Sequence, residues 1–240
     1  LNLDKKSIEL VQSKHLVPLS DFAIIKRGYG AVSAKYFILN NLSIKKFGIP
    51  QEYLVRIIKK GKHLYSNSES ENNYILNIQN RIEDNNPMWN YLNYVRDQVL
   101  LNDSESSVLK RNILSSETWY INNFNQEYAK LCFCYIIRSN KTFFSLASRV
   151  LLSDNFYLIY PDSANLNMIL AVLNSTLTKY LLEIVGRSQG NGLLKIQVYE
   201  LRSLPVLDIT NLSKKDKAKL NLLGKGISRM MHEQRSFDSI

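Results

Sequence analysis

The sequence predicts an α+β fold, in which mixed, twisted sheet segments pack on a long helix and a helical extension follows at the C-terminus. Three observations carry that expectation. Short aromatic and β-branched runs, bounded by Gly, Asn, Asp or Ser, recur from Phe22 to Tyr160. One apolar stripe of helical period runs from Asn165 to Ile184. A lysine-rich helical segment starts at Ser213.

Taken in order, Phe22-Ala23-Ile24-Ile25 and Tyr36-Phe37-Ile38-Leu39 read as two strands joined by the basic, glycine-bearing loop Lys26-Arg27-Gly28-Tyr29-Gly30. A third strand is expected at Tyr53 to Ile58, followed by the basic turn Lys59-Lys60-Gly61-Lys62-His63, and a fourth at Tyr74 to Ile78. Ser66 to Asn73 between them is polar and reads as a loop. Pro87, whose missing N–H costs nothing at a first helical position, opens a helix carrying Trp89, Leu92, Val95 and Val99 that ends by Asn102-Asp103. Three more strand-like runs follow at Cys132 to Ile137, Phe143 to Leu146 and Phe156 to Tyr160.

Leu166, Ile169, Leu173, Leu177, Tyr180, Leu181 and Ile184 then form the stripe of one long helix, stopped at Gly186. Arg187 to Gly192 reads as a flexible polar loop, leading to the alternating segment Leu194 to Val198, and Leu204-Pro205-Val206 closes the unit. In the last helix Asp216 answers the capping Ser213, and Leu220, Leu223, Ile227, Met230 and Met231 form the apolar face. Gly224 and Gly226 weaken that helix by about 1 kcal/mol each.

Composition narrows the function classes. At 240 residues, 45% hydrophobic and 22% charged, the chain suits one good-sized core, or one main domain with a helical appendage. No apolar run approaches the roughly 20 residues of a membrane span, so a soluble, cytoplasmic protein without a membrane partner is expected. Thirty-one Lys and Arg against 21 Asp and Glu give a net charge of +10, which favours a polyanionic partner. Cys132 and Cys134 fall on one face of a buried strand and read as core thiols, since two ligands without a nearby His make no zinc site.

Catalytic signatures are missing from the sequence. No glycine-rich strand-to-helix turn with a well-placed acid follows an apolar strand, so an adenosyl cofactor finds no binding turn. Asn86-Pro87-Met88-Trp89 lacks the second Pro of the Asn-Pro-Pro-Tyr motif of adenine methyltransferases, follows the polar Glu83-Asp84-Asn85, and is explained as a helix start. His15, His63 and His232 are scattered, and no Glu-x-Lys or Asp-x-Lys follows Pro161-Asp162, so neither metal nor nuclease chemistry is indicated. The pair Trp119-Tyr120 reads as core.

The positive signal is an ordered set of short motifs. Val17-Pro18-Leu19-Ser20-Asp21-Phe22-Ala23 runs through Arg27-Gly28-Tyr29-Gly30 to Tyr36-Phe37-Ile38-Leu39. Asn90-Tyr91-Leu92, Trp119-Tyr120, Leu173-Asn174-Ser175 and Gly190-Asn191-Gly192-Leu193-Leu194-Lys195-Ile196 follow, with Leu204-Pro205-Val206 last. In order and spacing this set resembles the C-terminal target-recognition domain of TaqI-type adenine methyltransferases. It departs from that pattern at Ala31-Val32-Ser33-Ala34, which stands where the family has Thr-Gly.

The resemblance implies an enzyme divided in two. One lobe binds S-adenosylmethionine and methylates N6 of a flipped adenine, and the other reads the flanking bases. This chain, which opens on Leu1, reads as a piece of a longer polypeptide: 1–15 a linker from an upstream catalytic domain, 16–210 the target-recognition domain and 211–240 a helical extension. The chain itself is expected to hold no cofactor and to be non-catalytic. Its partners are expected to be duplex DNA and the upstream methyltransferase lobe, with or without a fused endonuclease.

Two loops carry the mixture of phosphate-binding cations and base-reading amides that such a task needs. Lys26, Arg27 and Tyr29 form one, and Arg187, Ser188, Gln189, Asn191 and Lys195 the other. Lys59, Lys60, Lys62 and His63 extend the basic footprint. The alternatives are a fragment of a multisubunit restriction enzyme's specificity subunit, a self-contained divergent methyltransferase or nuclease, and a basic protein–protein module.

Overall fold

The computed structural model describes residues 13–30, 33–64, 72–102, 107–122, 128–138, 141–146 and 149–237. The fold is α+β. Residues 1–12 of the expected linker, residues 66–71 of the expected loop, and Ala31 and Val32 lie outside the described residues.

Strands from distant parts of the chain build a frame. Short β1 (Leu16–Pro18) pairs antiparallel with β13 (Pro205–Leu207). A four-stranded sheet of order β2-β10-β6-β8 joins β2 (Ala23–Arg27), β10 (Phe156–Pro161), β6 (Leu131–Cys134) and β8 (Phe144–Ser145). Side chains alternate across it. Ala23, Ile25, Leu131, Phe133, Tyr157 and Ile159 enter one core with α5 (Leu166–Leu173), α6 (Thr176–Val185) and α7 (Val198–Arg202). Cys132, Phe144, Phe156 and Leu158 face the other way, against Leu64 and Leu152. Burial on both faces is why β6 and β10 read as unbroken apolar runs rather than as alternation.

The segment between β2 and β6 builds its own core. It contains α1 (Ala34–Phe37), β3 (Ile38–Asn40), α2 (Asn41–Phe47), β4 (Leu54–Ile58), β5 (Asn73–Leu76), α3 (Met88–Leu101) and α4 (Ser107–Ser115). Tyr36, Leu39, Leu76, Met88, Tyr91, Leu92, Val95 and Val99 pack there with Tyr120. Tyr91 donates a 2.6 Å hydrogen bond to the Tyr36 carbonyl, and Tyr120 stands edge-on to Trp89 at 5.3 Å, so Tyr120 is core as expected, with Trp119 half-buried against it. The sheet β3-β5-β4 is completed by β9 (Leu151–Leu152) of the frame, which lies parallel to β4.

Four expectations change. Tyr36 and Phe37 close a helical turn, with the strand beginning at Ile38. The two strands flanking the first basic loop are not paired: β2 bonds to β10, and β3 to β5. The long helix is two helices bent by 66°. Ser175 Oγ accepts from Thr178 N at 3.2 Å to start α6, and Asn174 exchanges bonds of 3.1 and 3.0 Å with the backbone of Phe143. Apolar spacing continues across that break, so periodicity alone reads one helix. The alternating segment gives a strand only at Leu194–Lys195, because Gln197 and Glu200 form a capping box that starts α7.

The last helix, α8 (Lys214–Phe237), starts as expected, with Ser213 Oγ accepting from Asp216 N at 3.2 Å. Its packed face differs from the expected one. Leu220 and Ile227 reach the core, while Leu223 and Met230 are exposed. Gly224 is the crossing point with α5, since a Cβ there would lie 1.8 Å from the Asn167 carbonyl oxygen. Among the described residues no single helix is long and apolar enough to cross a membrane.

Candidate nucleic-acid interface

Both sheets end at one turn, residues 152–155, and the basic segments hang from it. Gly28 N donates to Phe156 O at 2.9 Å, Tyr29 N to Leu152 O at 2.7 Å, and Asp154 N to Tyr29 O at 2.8 Å. Gly28 is needed for this approach: a Cβ there would lie 2.2 Å from the Ser153 carbonyl oxygen. On the other flank Ser153 N donates to Ile58 O at 2.9 Å. Ser153 Oγ and Asn155 Nδ2 donate to Lys59 O at 3.1 and 3.0 Å. Tyr135 N closes the group on Asn155 O at 2.8 Å.

On this base two cations share one aromatic ring. The Arg27 guanidinium carbon lies 3.8 Å from the Tyr135 ring centroid, and Lys195 Nζ lies 5.2 Å from the same centroid. Arg27 is also fixed by donating from Nε to Asp154 O at 2.8 Å. Tyr135 rests edge-on against Tyr157 at 5.9 Å, and Tyr157 Oη donates to Ile196 O at 2.7 Å. Hydrogen bonding to Lys195, with a smaller part from Arg27, holds the Tyr135 phenol below its ordinary range. Burial pushes Tyr157 up to about 12 despite Arg27 nearby.

Strand alternation sends Lys26 to the opposite sheet face, in register with Leu158. Its Nζ lies 5.5 Å from the Tyr160 ring centroid. Lys26, Tyr29, Leu158 and Tyr160, with Arg27, Gly28 and Gly30, line a cleft of about 430 Å³. Burial, with a smaller push from Tyr160, raises the Tyr29 phenol to about 12. The first loop therefore serves two faces rather than one.

The second loop is a hairpin, not the flexible segment its composition suggests. β11 (Arg187–Ser188) pairs with β12 (Leu194–Lys195), which in turn pairs with β7 (Ile136–Ile137). Gly190, Asn191 and Gly192 turn the chain with φ of 80°, 48° and 71°, and Gln189 N donates to Leu193 O at 2.9 Å. Ser188, Gln189 and Asn191 are exposed around that turn. Arg187 departs from the reading of a base-contacting side chain. Its Nε donates to Glu200 Oε1 at 2.7 Å and its Nη2 contacts the Tyr199 hydroxyl. The buried Glu200 thus offsets its charge and ties the hairpin to α7.

Of the eight residues expected from the sequence, the structure brings Arg27 and Lys195 together, places Ser188, Gln189 and Asn191 on the adjoining hairpin, and sets Lys26 and Tyr29 on the second face. The sequence reading missed Tyr135 and Tyr160, which organise both groups. It also missed Arg202, whose Nη2 donates to Ile25 O at 2.8 Å along the outer edge of β2. Tyr135 sits just beyond an apolar strand with nothing to mark it. Among the described residues no cluster of His, Cys, Asp and Glu has the makings of a metal site.

This architecture recurs inside larger proteins. The type IIG restriction endonuclease BpuSI superposes with a TM-score of 0.61 at 15% identity, over 92% of this chain and 28% of its own. The type IIL restriction-modification enzyme MmeI, solved in complex with DNA, gives 0.53 at 13% identity, over 92% of this chain and 35% of its own. The fold is thus one found within restriction-modification enzymes. The family model of the C-terminal domain of the type II methyltransferase M.Eco57I matches residues 3–238, and the chain belongs to that family. The type II methyltransferase M.AccI of Acinetobacter calcoaceticus is 22% identical over 246 residues, covering 96% of this chain and 44% of M.AccI. The chain spans less than half the length of these relatives. The match supports a restriction-modification C-terminal domain, a broader group than the TaqI-type one the motifs suggested.

Proposed function

We propose that this chain is the DNA-recognition domain of a type II, adenine-specific DNA methyltransferase, and that it reads sequence without catalysing. The methyl transfer, with S-adenosylmethionine as donor, belongs in this reading to a separate lobe of the same enzyme. The observation that supports it best is the convergence of Arg27 and Lys195 on Tyr135 beside the hairpin that presents Gln189 and Asn191. Fixed cations suit phosphates, whose contacts set register and orientation. Exposed amides on a tight hairpin suit base edges, where Gln and Asn pair with adenine in the major groove.

Selection from a random duplex library at moderate salt tests this reading. The chain is expected to enrich one short motif, and Arg27→Ala with Lys195→Ala is expected to lower affinity for it about tenfold or more. Failure to enrich any motif sinks the proposal. Calorimetry of the chain with S-adenosylmethionine is expected to give no binding heat, whereas saturable binding would favour a self-contained methyltransferase.

A further inference from the structure

A second basic pocket lies apart from the Tyr135 group and the hairpin. The turn 59–63 forms one wall with Lys59, Lys60, Lys62 and His63, and Asn40, Asn72 and Asn73 form the other, around about 250 Å³. Asn40 and Asn73 face each other across β3 and β5. Asn40 Oδ1 caps α2, accepting from Ser43 N at 2.9 Å, and the same side chain carries an NH₂ donor. Among the described residues every lining side chain carries N–H groups and none is a carboxylate. Such a pocket is built for an anion with several acceptor oxygens.

Its position is fixed relative to the Tyr135 group. The Lys59 carbonyl is held by Ser153 and Asn155, in the turn whose next carbonyl, that of Asp154, accepts from Arg27. Gly61 lets the basic turn press on β6, since a Cβ there would already lie 3.0 Å from Cys134 Sγ. Both cationic groups are thus tied to the one turn at 153–155.

We infer that this pocket takes a backbone phosphate of the duplex bound at Tyr135, as a second, sequence-independent grip. The inference rests on the DNA-recognition reading above. A phosphate grip adds affinity and salt dependence for every duplex and leaves base preference alone. The test is fluorescence anisotropy of the enriched duplex and a scrambled one, across a salt series. Lys59→Gln, Lys60→Gln and Lys62→Gln are combined in one variant. A control removes the same charge from α8 through Lys214→Gln, Lys215→Gln and Lys219→Gln.

The pocket variant is expected to weaken both duplexes by the same factor, about tenfold, and to flatten the slope of log affinity against log salt by roughly one unit per lost phosphate contact. The control is expected to change both far less. Equal loss in the two variants overturns the pocket in favour of general charge. An unchanged slope in the pocket variant, with wild-type binding intact, overturns the pocket alone, as does a loss confined to the enriched duplex. Absence of wild-type binding to either duplex removes the DNA-recognition reading itself, and with it the second grip.

Discussion

The Tyr135 group and the 187–195 hairpin sit side by side and are built on opposite principles. Arg27 is held by a backbone carbonyl and by a ring, next to a glycine whose Cβ would strike the Ser153 carbonyl, on a base where three segments share one turn. The hairpin is held mainly at its root, by its pairing with β7 and the Arg187–Glu200 ion pair, while Gln189 and Asn191 project from a turn of three left-handed residues. The difference teaches how one surface can anchor and discriminate at once. Positioning tolerates no movement, and discrimination needs side chains whose identity can change without disturbing the anchor.

The largest effect is expected from breaking the base itself. Gly28→Ala drives a methyl into the Ser153 carbonyl and should cost about 2 to 3 kcal/mol in urea unfolding, with duplex binding lost alongside. A variant that unfolds like wild type would mean that the shared turn is not what holds the two sheets' basic segments.

Next comes Arg27→Lys, which keeps the charge but gives up the guanidinium face on Tyr135 and the bond to Asp154. Because an ammonium does not replace a stacked guanidinium, affinity for all duplexes should fall about fivefold to tenfold, a change of roughly 1 kcal/mol. Gln189→Ala should leave non-cognate affinity alone and lower cognate affinity by about fivefold or more, the low end of a single base contact. Binding assays with both duplexes separate the two patterns, and identical behaviour of the two variants would erase the contrast.

Smaller is the pH response of the anchor. The Tyr135 phenol lies below its ordinary range, so ionisation is favoured in the folded state. The fold therefore gains stability as pH rises from that lowered value toward the unfolded value of about 10, and gains nothing from this group at lower pH. Absorbance titration at high pH should show one early tyrosine, removed by Tyr135→Phe and shifted upward by Lys195→Ala. Smallest is Asn191→Gly, which relieves a φ of 48°. Asn tolerates that region, so the gain in thermal denaturation should stay under about 1 kcal/mol.

The fold class, the helix at Pro87, the strands β2, β6, β8 and β10 and the Ser213 cap were legible because each rests on local chemistry: an apolar period, a proline, a hydroxyl three residues before a carboxylate. The partners of β2 were not, since nothing near Lys26 encodes a strand that comes as late as Phe156. Arg27 and Lys195 were singled out by residue type and loop context, yet only the fold reveals that Tyr135 joins them. Arg187 looked like a reader because Glu200, its partner, is separated from it by the hairpin turn and by β12. The bend at Asn174-Ser175 was masked by apolar residues that keep helical spacing on both sides of it.

The pairing of β2 with β10 has a consequence for the order in which the molecule is made. Translation runs from the N-terminus, and β2 finds no partner until residues 156–161 have emerged, while β1 waits for 205–207. The compact group at 36–121 packs one core from its own residues, and β9, which completes its sheet, emerges just before β10. The frame closes around it late, at a high entropic cost of bringing distant ends together. Until that moment the apolar edges of β2 and β6 are exposed, and this interval is when a nascent chain is most exposed to aggregation.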